Sequence, residues 1–161
     1  MSAPMNADQR FDELARRLGY SFDGEIKIGG NYTPLVVDGD VAYVSGQVPR
    51  VGDVVVVTGR AGAEVSLEQA QLAARICAMR ALALLRRQFG SLEKVRRILR
   101  ITVFVQCTDT FTFHSKVSDG ASAVLFEVLG EAGRHTRTSV GVFQLPKNAS
   151  VELDLIASTK T

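Results

Sequence analysis

The side chains best suited to chemistry lie near the C-terminal end of the sequence. Arg137 stands in "HTRTSV", residues 135 to 140, where a loop of glycines and charges gives way to a run that predicts a strand. A guanidinium presents a planar fork of N–H donors that matches a carboxylate through two parallel hydrogen bonds. Because burying such a charge without a partner is costly, the position predicts either a ligand-binding arginine or an ion pair.

Alternation along the strands indicates which side chains accompany this arginine. Residues two apart share a face of a strand, so Arg137, Ser139 and Gly141 are predicted on one face. In "SVELDLIA", Glu152 and Asp154 point away from the apolar residues between them. One interpretation is a polar pocket that combines the guanidinium, the hydroxyl and a carboxylate. The alternative is an intramolecular or intersubunit salt bridge from Arg137 to Glu152 or Asp154, or a solvated strand edge.

Other polar or reactive residues admit both a functional and a structural interpretation. His135 could line a cleft as an acid or base near neutral pH, or it could be a solvated loop residue. Cys107 and His114 could form a thiol and base pair, but closeness in sequence says nothing about contact in space. Both Cys77 and Cys107 are therefore predicted as small core residues. Gly46, which ends a predicted strand, could let a ligand approach the backbone or could mark a bulge.

Length, composition and charge exclude several classes of function. A chain of 161 residues with 46% apolar content predicts one compact domain over 1–161. Its 19 basic and 17 acidic residues are scattered and leave a net charge of +2, which argues against nucleic acid as a partner. No apolar run approaches the length of about 18 residues that a membrane span needs, and the first residues are too charged for a signal peptide. The two cysteines do not have zinc-ligand spacing, so we expect a cytoplasmic protein with no metal or organic cofactor.

Periodicity and capping residues predict the elements that must position these side chains. Three helices are predicted: one after Asn6, a long one from Ser66 to Gly90, and one over 115–129. Strands are predicted at 35–37, 41–47, 53–59, 101–105, 137–144 and 150–157. This order predicts an α+β fold in which two long helices cover one face of a mixed β-sheet. Because both sheet faces carry apolar residues, the second face is predicted to be buried in an oligomer.

Four segments carry a family resemblance. They are "YVSGQVP" at 43–49, "ITVFVQC" at 101–107, "RTSVGVFQLPK" at 137–147 and "VELDLIA" at 151–157. In order and spacing they resemble the motifs of the Rid family of reactive intermediate deaminases, also called the YjgF or L-PSP endoribonuclease family. The resemblance covers roughly 29–157 and leaves an N-terminal helical extension over 1–28 outside it. The stretches "GRHTRTSVGV" and "HSKVSDGAS" look more like a longer, divergent branch of that family.

The resemblance implies a fold, an assembly and a reaction. The fold is a chorismate-mutase-like α+β domain, assembled as a homotrimer with clefts between subunits. The reaction is hydrolysis of enamines and imines such as 2-aminoacrylate to a 2-oxo acid and ammonia, without a cofactor. By the same resemblance Arg137 holds the substrate carboxylate, Tyr32 of "GGNYTP" lines the pocket, and Glu152 positions the attacking water.

Three positions depart from the family pattern. Asn31 stands where a proline is usual before the tyrosine, Ser139 where the deaminases often have a cysteine, and Ser115 where they tend to have an asparagine. Ser115 could bind substrate or could instead cap its helix. Because these changes surround the reacting atoms, a non-catalytic trimer that binds small 2-oxo acids is the alternative function. Ribonuclease activity ranks last, since phosphodiester cleavage favours a basic groove and paired acid and base groups.

Overall fold

The computed structural model describes residues 3–160, and its elements follow the predicted order. The helices are α1 (Ala7–Leu18), α2 (Leu67–Phe89) and α3 (His114–Leu129). The strands are β1 (Leu35–Asp38), β2 (Val41–Gln47), β3 (Arg50–Val51), β4 (Val54–Val55), β5 (Val95–Gln106), β6 (Thr136–Val142) and β7 (Val151–Thr159). Single-turn 3-10 helices occupy Leu92–Lys94, Gly130–Gly133 and Pro146–Asn148. The predicted α+β class is confirmed.

Five strands form one mixed sheet in the order β1-β2-β7-β5-β6. Only β5 and β6 are parallel, and α3 provides the crossover that a parallel pair requires. Helices α2 and α3 pack on one face of this sheet, against buried residues such as Ile101, Val103 and Leu155, and α1 packs against both helices. Strand β6 is therefore an edge strand that lies beside α3. No helix within residues 3–160 combines the length and apolarity needed to cross a bilayer.

Capping residues determine where α1 and α2 begin and end. Asn6 and Ser66 each accept a hydrogen bond from the backbone three residues on and form complete capping boxes, which the sequence predicted for Ser66. Gly19 and Gly90 end these helices in the left-handed conformation. Helix α3 differs, because Phe113 precedes it without a side-chain cap. The suggestion that Ser115 caps α3 is wrong, since Ser115 lies inside the first turn.

The strand predicted over 53–59 is confirmed only in part. Val54–Val55 forms a strand that pairs with Arg50–Val51 in a separate two-stranded sheet, and Thr58 makes a single bridge to Ala149. Gly52 adopts a φ of 60° and turns the chain back immediately, so the β-branched run folds onto its own neighbour instead of joining the main sheet.

The sheet face opposite the helices is open to solvent in the single chain and carries apolar side chains beside the polar Thr102, Glu152 and Asp154. The apolar side chains come from all five strands: Val36, Tyr43, Ile156, Phe104 and Val140. Three of them, Val36, Tyr43 and Val140, count among the exposed large apolar residues. Exposed apolar side chains on a sheet face are typical of an interaction surface.

Gly120 of α3 lies against the backbone of α2, and this contact makes a testable prediction. A Cβ at Gly120 would lie 2.5 Å from the carbonyl oxygen of Gln71, which is rigid helix backbone. We expect Gly120→Ala to destabilise the fold by about 2 kcal/mol, because overpacking outweighs the gain of about 1 kcal/mol in helix propensity. Urea unfolding measures the change. Gly24→Ala is the control, since no atom lies within 4 Å of its added Cβ, and an equal effect in both variants would contradict the prediction.

Candidate active site

The guanidinium of Arg137 is held by the first turns of α3. One terminal nitrogen donates to the Asp119 carboxylate at 2.9 Å and to the Ser122 hydroxyl at 3.0 Å. The other donates to the Ser115 hydroxyl at 2.8 Å and to the Ser115 carbonyl at 3.3 Å. The Arg137 side chain remains 21% exposed. The guanidinium is therefore oriented from one side and still reaches solvent at the edge of the sheet.

Strand register separates Arg137 from the acidic residues of β7. Arg137 pairs with Ile101, which pairs with Leu155, so these three side chains share the helix-covered face. Glu152 pairs with Phe104, which places it on the open face. A sheet thus stands between the guanidinium and Glu152 within one chain. The proposed salt bridge from Arg137 to Glu152 or Asp154 is wrong within the single chain, because the ion pair that forms is with Asp119 of α3.

His135 supports the arginine indirectly. Its Nδ1 lies 2.6 Å from the Gly133 carbonyl and must donate there, which leaves Nε2 to accept from the Ser122 hydroxyl at 2.8 Å. The Ser122 oxygen in turn accepts from Arg137. The imidazole also stacks on Phe126, with ring centroids 5.4 Å apart. His135 is half-buried in this chain of hydrogen bonds and acts on the arginine through Ser122.

This hydrogen-bond chain predicts a pH-dependent stability. Burial, and then the charge of Arg137, lower the pKa of His135 below its ordinary value of 6.5. The unfolded chain therefore binds more protons than the folded chain just below that value, so stability falls as the pH drops through it. In urea unfolding between about pH 7.5 and pH 5.5, the wild type should lose more stability than His135→Gln. Parallel losses in the two proteins would contradict the prediction.

Glu152 anchors a second group of predicted site residues on the open face. Tyr32, Gly46 and Glu152 line one cavity of about 180 Å³, and Tyr32 is 50% exposed. The backbone of Gly46 faces the carboxyl directly: a Cβ there would lie 2.6 Å from Oε1 of Glu152. The hydroxyl of Ser45, the residue before Gly46, is buried and has no hydrogen-bond partner within residues 3–160. Buried polar groups without partners are uncommon and call for an explanation.

The environment of Glu152 favours its neutral form. Burial, and then the neighbouring Asp154 carboxylate, raise the pKa of Glu152 above its ordinary value. A carboxyl group in such surroundings can hold or accept a proton closer to neutral pH than an exposed one. This property suits general acid or base chemistry.

Ser139 of β6, the two cysteines and His114 complete the predicted residues. Ser139 donates to the Ser118 hydroxyl of α3 at 2.6 Å, on the same side of the sheet as Arg137. Cys107 and His114 do meet in space, with Sγ and Nε2 3.4 Å apart beside the bare backbone of Gly141. Cys77 is fully buried as predicted, whereas Cys107 is only partly buried. Burial raises the pKa of the Cys107 thiol, which disfavours a reactive thiolate there.

Sequence reasoning missed several residues around both groups. Asp119 and Ser122 are ordinary polar positions of a helix, and nothing in their spacing indicates that β6 lies beside them. Arg80 had a usable signal, because a lone arginine interrupts the apolar run "ICAMRALALL" of α2. It is 3% exposed and lines the same cavity as Glu152. Across residues 3–160 no group of three or more His, Cys, Asp or Glu side chains could hold a metal ion.

Comparison with known proteins places this geometry in a family. Residues 19–158 match the family model described as "YjgF/chorismate_mutase-like, putative endoribonuclease". Protein TCP17 of Trypanosoma cruzi is 37% identical over 142 residues, which cover 88% of this chain and 89% of that protein. The match therefore spans both groups of residues described above.

Two solved structures illustrate the range of similarity. The crystal structure of Atu1372 from Agrobacterium tumefaciens has 37% identity and a TM-score of 0.85, and the alignment covers 96% of this chain and 94% of that one. The E. coli TdcF structure with bound serine has 22% identity and a TM-score of 0.62, with 87% and 96% covered. At that lower identity the similarity establishes the fold alone.

Proposed function

Since this chain belongs to the YjgF, or Rid, family, we propose that it hydrolyses enamines and imines derived from amino acids, such as 2-aminoacrylate. The products are a 2-oxo acid and ammonia. One observation carries the proposal: the chain presents an oriented guanidinium, Arg137, and a carboxyl group, Glu152, that has no hydrogen-bond partner within residues 3–160, each at a partly open surface. An oriented guanidinium and a carboxyl of raised pKa are the two groups that imine hydrolysis needs most.

The two halves of the site come from different copies of the chain. Arg137 lies on the helix-covered side of the edge strand, and Glu152 lies on the opposite side of the sheet, two strands away. They cannot both contact one small substrate within a single chain. The open apolar face, with Tyr43 and Val140 exposed, supports an assembly that would bring them together. We take that assembly to be a homotrimer, in which Arg137 of one copy faces Glu152 of the next.

The chemistry requires few groups because an imine carbon is already electrophilic. Arg137 binds the substrate carboxylate through its charge and its Nε–H, the one N–H that Asp119, Ser122 and Ser115 do not engage within residues 3–160, and so positions the imine carbon. Glu152 accepts a proton from water as the water oxygen bonds to that carbon. The same carboxyl returns that proton to the imine nitrogen, which gives a carbinolamine. It then carries the hydroxyl proton of the carbinolamine to the nitrogen, so that the C–N bond breaks and ammonia leaves while the C=O bond forms. Atoms balance with one water consumed, and neither metal nor redox chemistry is involved.

Other residues have defined roles in this account. Ser115, Ser122 and Asp119 orient the arginine, and His135 acts through Ser122. Gly46 leaves room for the Glu152 carboxyl, and Tyr32 lines the same cavity. TdcF, which shares this fold, holds a serine in its crystal structure, and serine carries the carboxylate and amine of such substrates.

Release of 2-oxo acid from 2-aminoacrylate generated in situ tests the proposal. The wild type should accelerate release above the spontaneous rate, and Arg137→Ala should return it to that rate. Arg96→Ala is the matched control, because Arg96 also pairs with one aspartate, Asp40, at 3.0 Å but lies away from the site. Equal rates in wild type and Arg137→Ala would remove the proposal. Tight 2-oxo acid binding without turnover of any imine would favour the non-catalytic binder.

A further inference from the structure

The cavity that contains Glu152 is unusually rich in basic residues. Besides Glu152, Tyr32 and Gly46, its lining includes four cations, Lys27, Arg50, Arg80 and Lys147, and Glu152 is its only acidic residue. Its volume is about 180 Å³. That space fits one end of a small organic acid.

Arg80 is a buried charge without a carboxylate. Its Nε donates to the Gln47 side chain at 3.1 Å, and its terminal nitrogens donate to the carbonyls of Arg50 and Lys27, each at 2.7 Å. These three acceptors are neutral. A guanidinium has five N–H groups, so two remain. A buried cation held only by neutral dipoles attracts an anion strongly, because little water screens it.

Two of the four cations share one acidic partner outside the cavity lining. Lys27 hydrogen-bonds with Asp53, and Arg50 lies 3.8 Å from the same carboxylate. The side chain of Asp53 is mostly exposed and is not part of the cavity lining. This leaves Arg80 and Lys147 as the cations that face the cavity without an acidic partner in the part of the chain that the structure describes.

Lys147 is held near the cavity by a strained turn. Lys147 and Asn148 both adopt left-handed backbone angles, with φ of 58° and 59°, which non-glycine residues rarely adopt. The fully buried Gln106 maintains this turn: it accepts from the Leu145 backbone and donates to the Asn148 side chain, both at 2.7 Å. Strain that the surroundings maintain is concentrated at functional sites.

We propose that Arg80 and Lys147 bind a second acidic group of the ligand, so that the substrate is an imine derived from an amino acid with an acidic side chain. This inference rests on the proposed function, in which Arg137 of a neighbouring copy binds the α-carboxylate. The second carboxylate then lies between Arg80 and Lys147, beside Glu152. The two cations select dicarboxylates over monocarboxylates of equal length.

A matched pair of product-like acids tests the inference by calorimetry. The probes are 2-oxopentanedioate and 2-oxopentanoate, which share a five-carbon chain and differ in the second carboxylate. The wild type should bind the dicarboxylate at least about ten-fold more tightly, which corresponds to about 1.4 kcal/mol. Lys147→Gln should reduce that ratio several-fold, whereas Lys160→Gln, which removes an equal charge elsewhere on the surface, should keep it. Arg80→Lys, which retains the charge, should preserve part of the preference if it folds.

The outcomes separate this inference from the proposed function. Equal binding of the two acids, or a preference that survives Lys147→Gln in full, overturns the second-carboxylate site. If both acids then still need Arg137, the proposed function stands without it. A dicarboxylate preference that depends on Lys147, together with no turnover of any imine, supports the binding inference and removes the catalytic one. Failure of both acids to bind overturns the inference.

Discussion

Gly46→Ala is expected to reduce imine hydrolysis by about 100-fold while the protein stays folded. The new Cβ would lie 2.6 Å from Oε1 and 2.9 Å from Cδ of Glu152, so the carboxyl must swing aside. Glu152 is a flexible side chain, and moving it costs little stability. Displacing a catalytic group by about 1 Å can nevertheless cost about 100-fold in rate. The rate of 2-oxo acid release and the thermal midpoint, measured on the same sample, check both halves of the prediction.

A double variant shows whether the loss acts through Glu152. If Gly46→Ala only displaces the carboxyl, then Gly46→Ala combined with Glu152→Gln should be no slower than Glu152→Gln alone. Additive losses would show that Gly46 has another role, such as direct approach of the ligand to its backbone. Unchanged activity in Gly46→Ala would place the reaction away from Glu152.

Arg137→Lys is expected to lower kcat/KM by about 100-fold, nearly as far as alanine does. The Arg137 guanidinium spans Asp119 and Ser122 with one nitrogen and Ser115 with the other. A lysine has a single nitrogen and cannot span these partners while it also donates to a substrate carboxylate. Loss of one charge-assisted hydrogen bond and of its alignment amounts to about 2 to 3 kcal/mol, which gives the fold-change above.

Steady-state kinetics with varied substrate measure this effect. Since the carboxylate contact fixes the imine carbon for attack, kcat should fall together with kcat/KM. Arg96→Lys is the matched control and should leave both constants within two-fold, because exposed ion pairs contribute about 1 kcal/mol or less. A normal rate in Arg137→Lys would mean that position 137 supplies charge alone.

Local patterns predicted the helices and the alternation of side chains well. The capping boxes at Asn6 and Ser66 and the terminal glycines act within a few residues, so the sequence contains all the information they need. The wrong prediction at Ser115 arose because capping was judged from neighbouring residues alone. Its capping role looked reasonable from spacing, but its hydroxyl is taken by Arg137, which is 22 residues away in the chain.

The sequence could not predict whether side chains on different strands lie on the same side of the sheet. Alternation shows which side chains of β6 share a face, and likewise for β7. It does not show which face of β6 lies on the same side of the sheet as a given face of β7, because that depends on the register of the strands between them. Here the register runs from Arg137 through Ile101 to Leu155, and it puts Glu152 on the opposite side of the sheet. The family resemblance identified both residues, and only the fold shows that one chain holds them apart.

Complementation between two inactive variants tests the central claim, that each site is shared between copies. Arg137→Ala and Glu152→Gln are each expected to be inactive alone. Unfolded together and refolded as a mixture, they should recover about a quarter of wild-type activity, because one in four random neighbour pairs has an intact Arg137 facing an intact Glu152. Refolding each variant separately and then mixing briefly provides the baseline. If the co-refolded mixture stays as inactive as its components, the two residues do not act across a subunit boundary and the account is wrong.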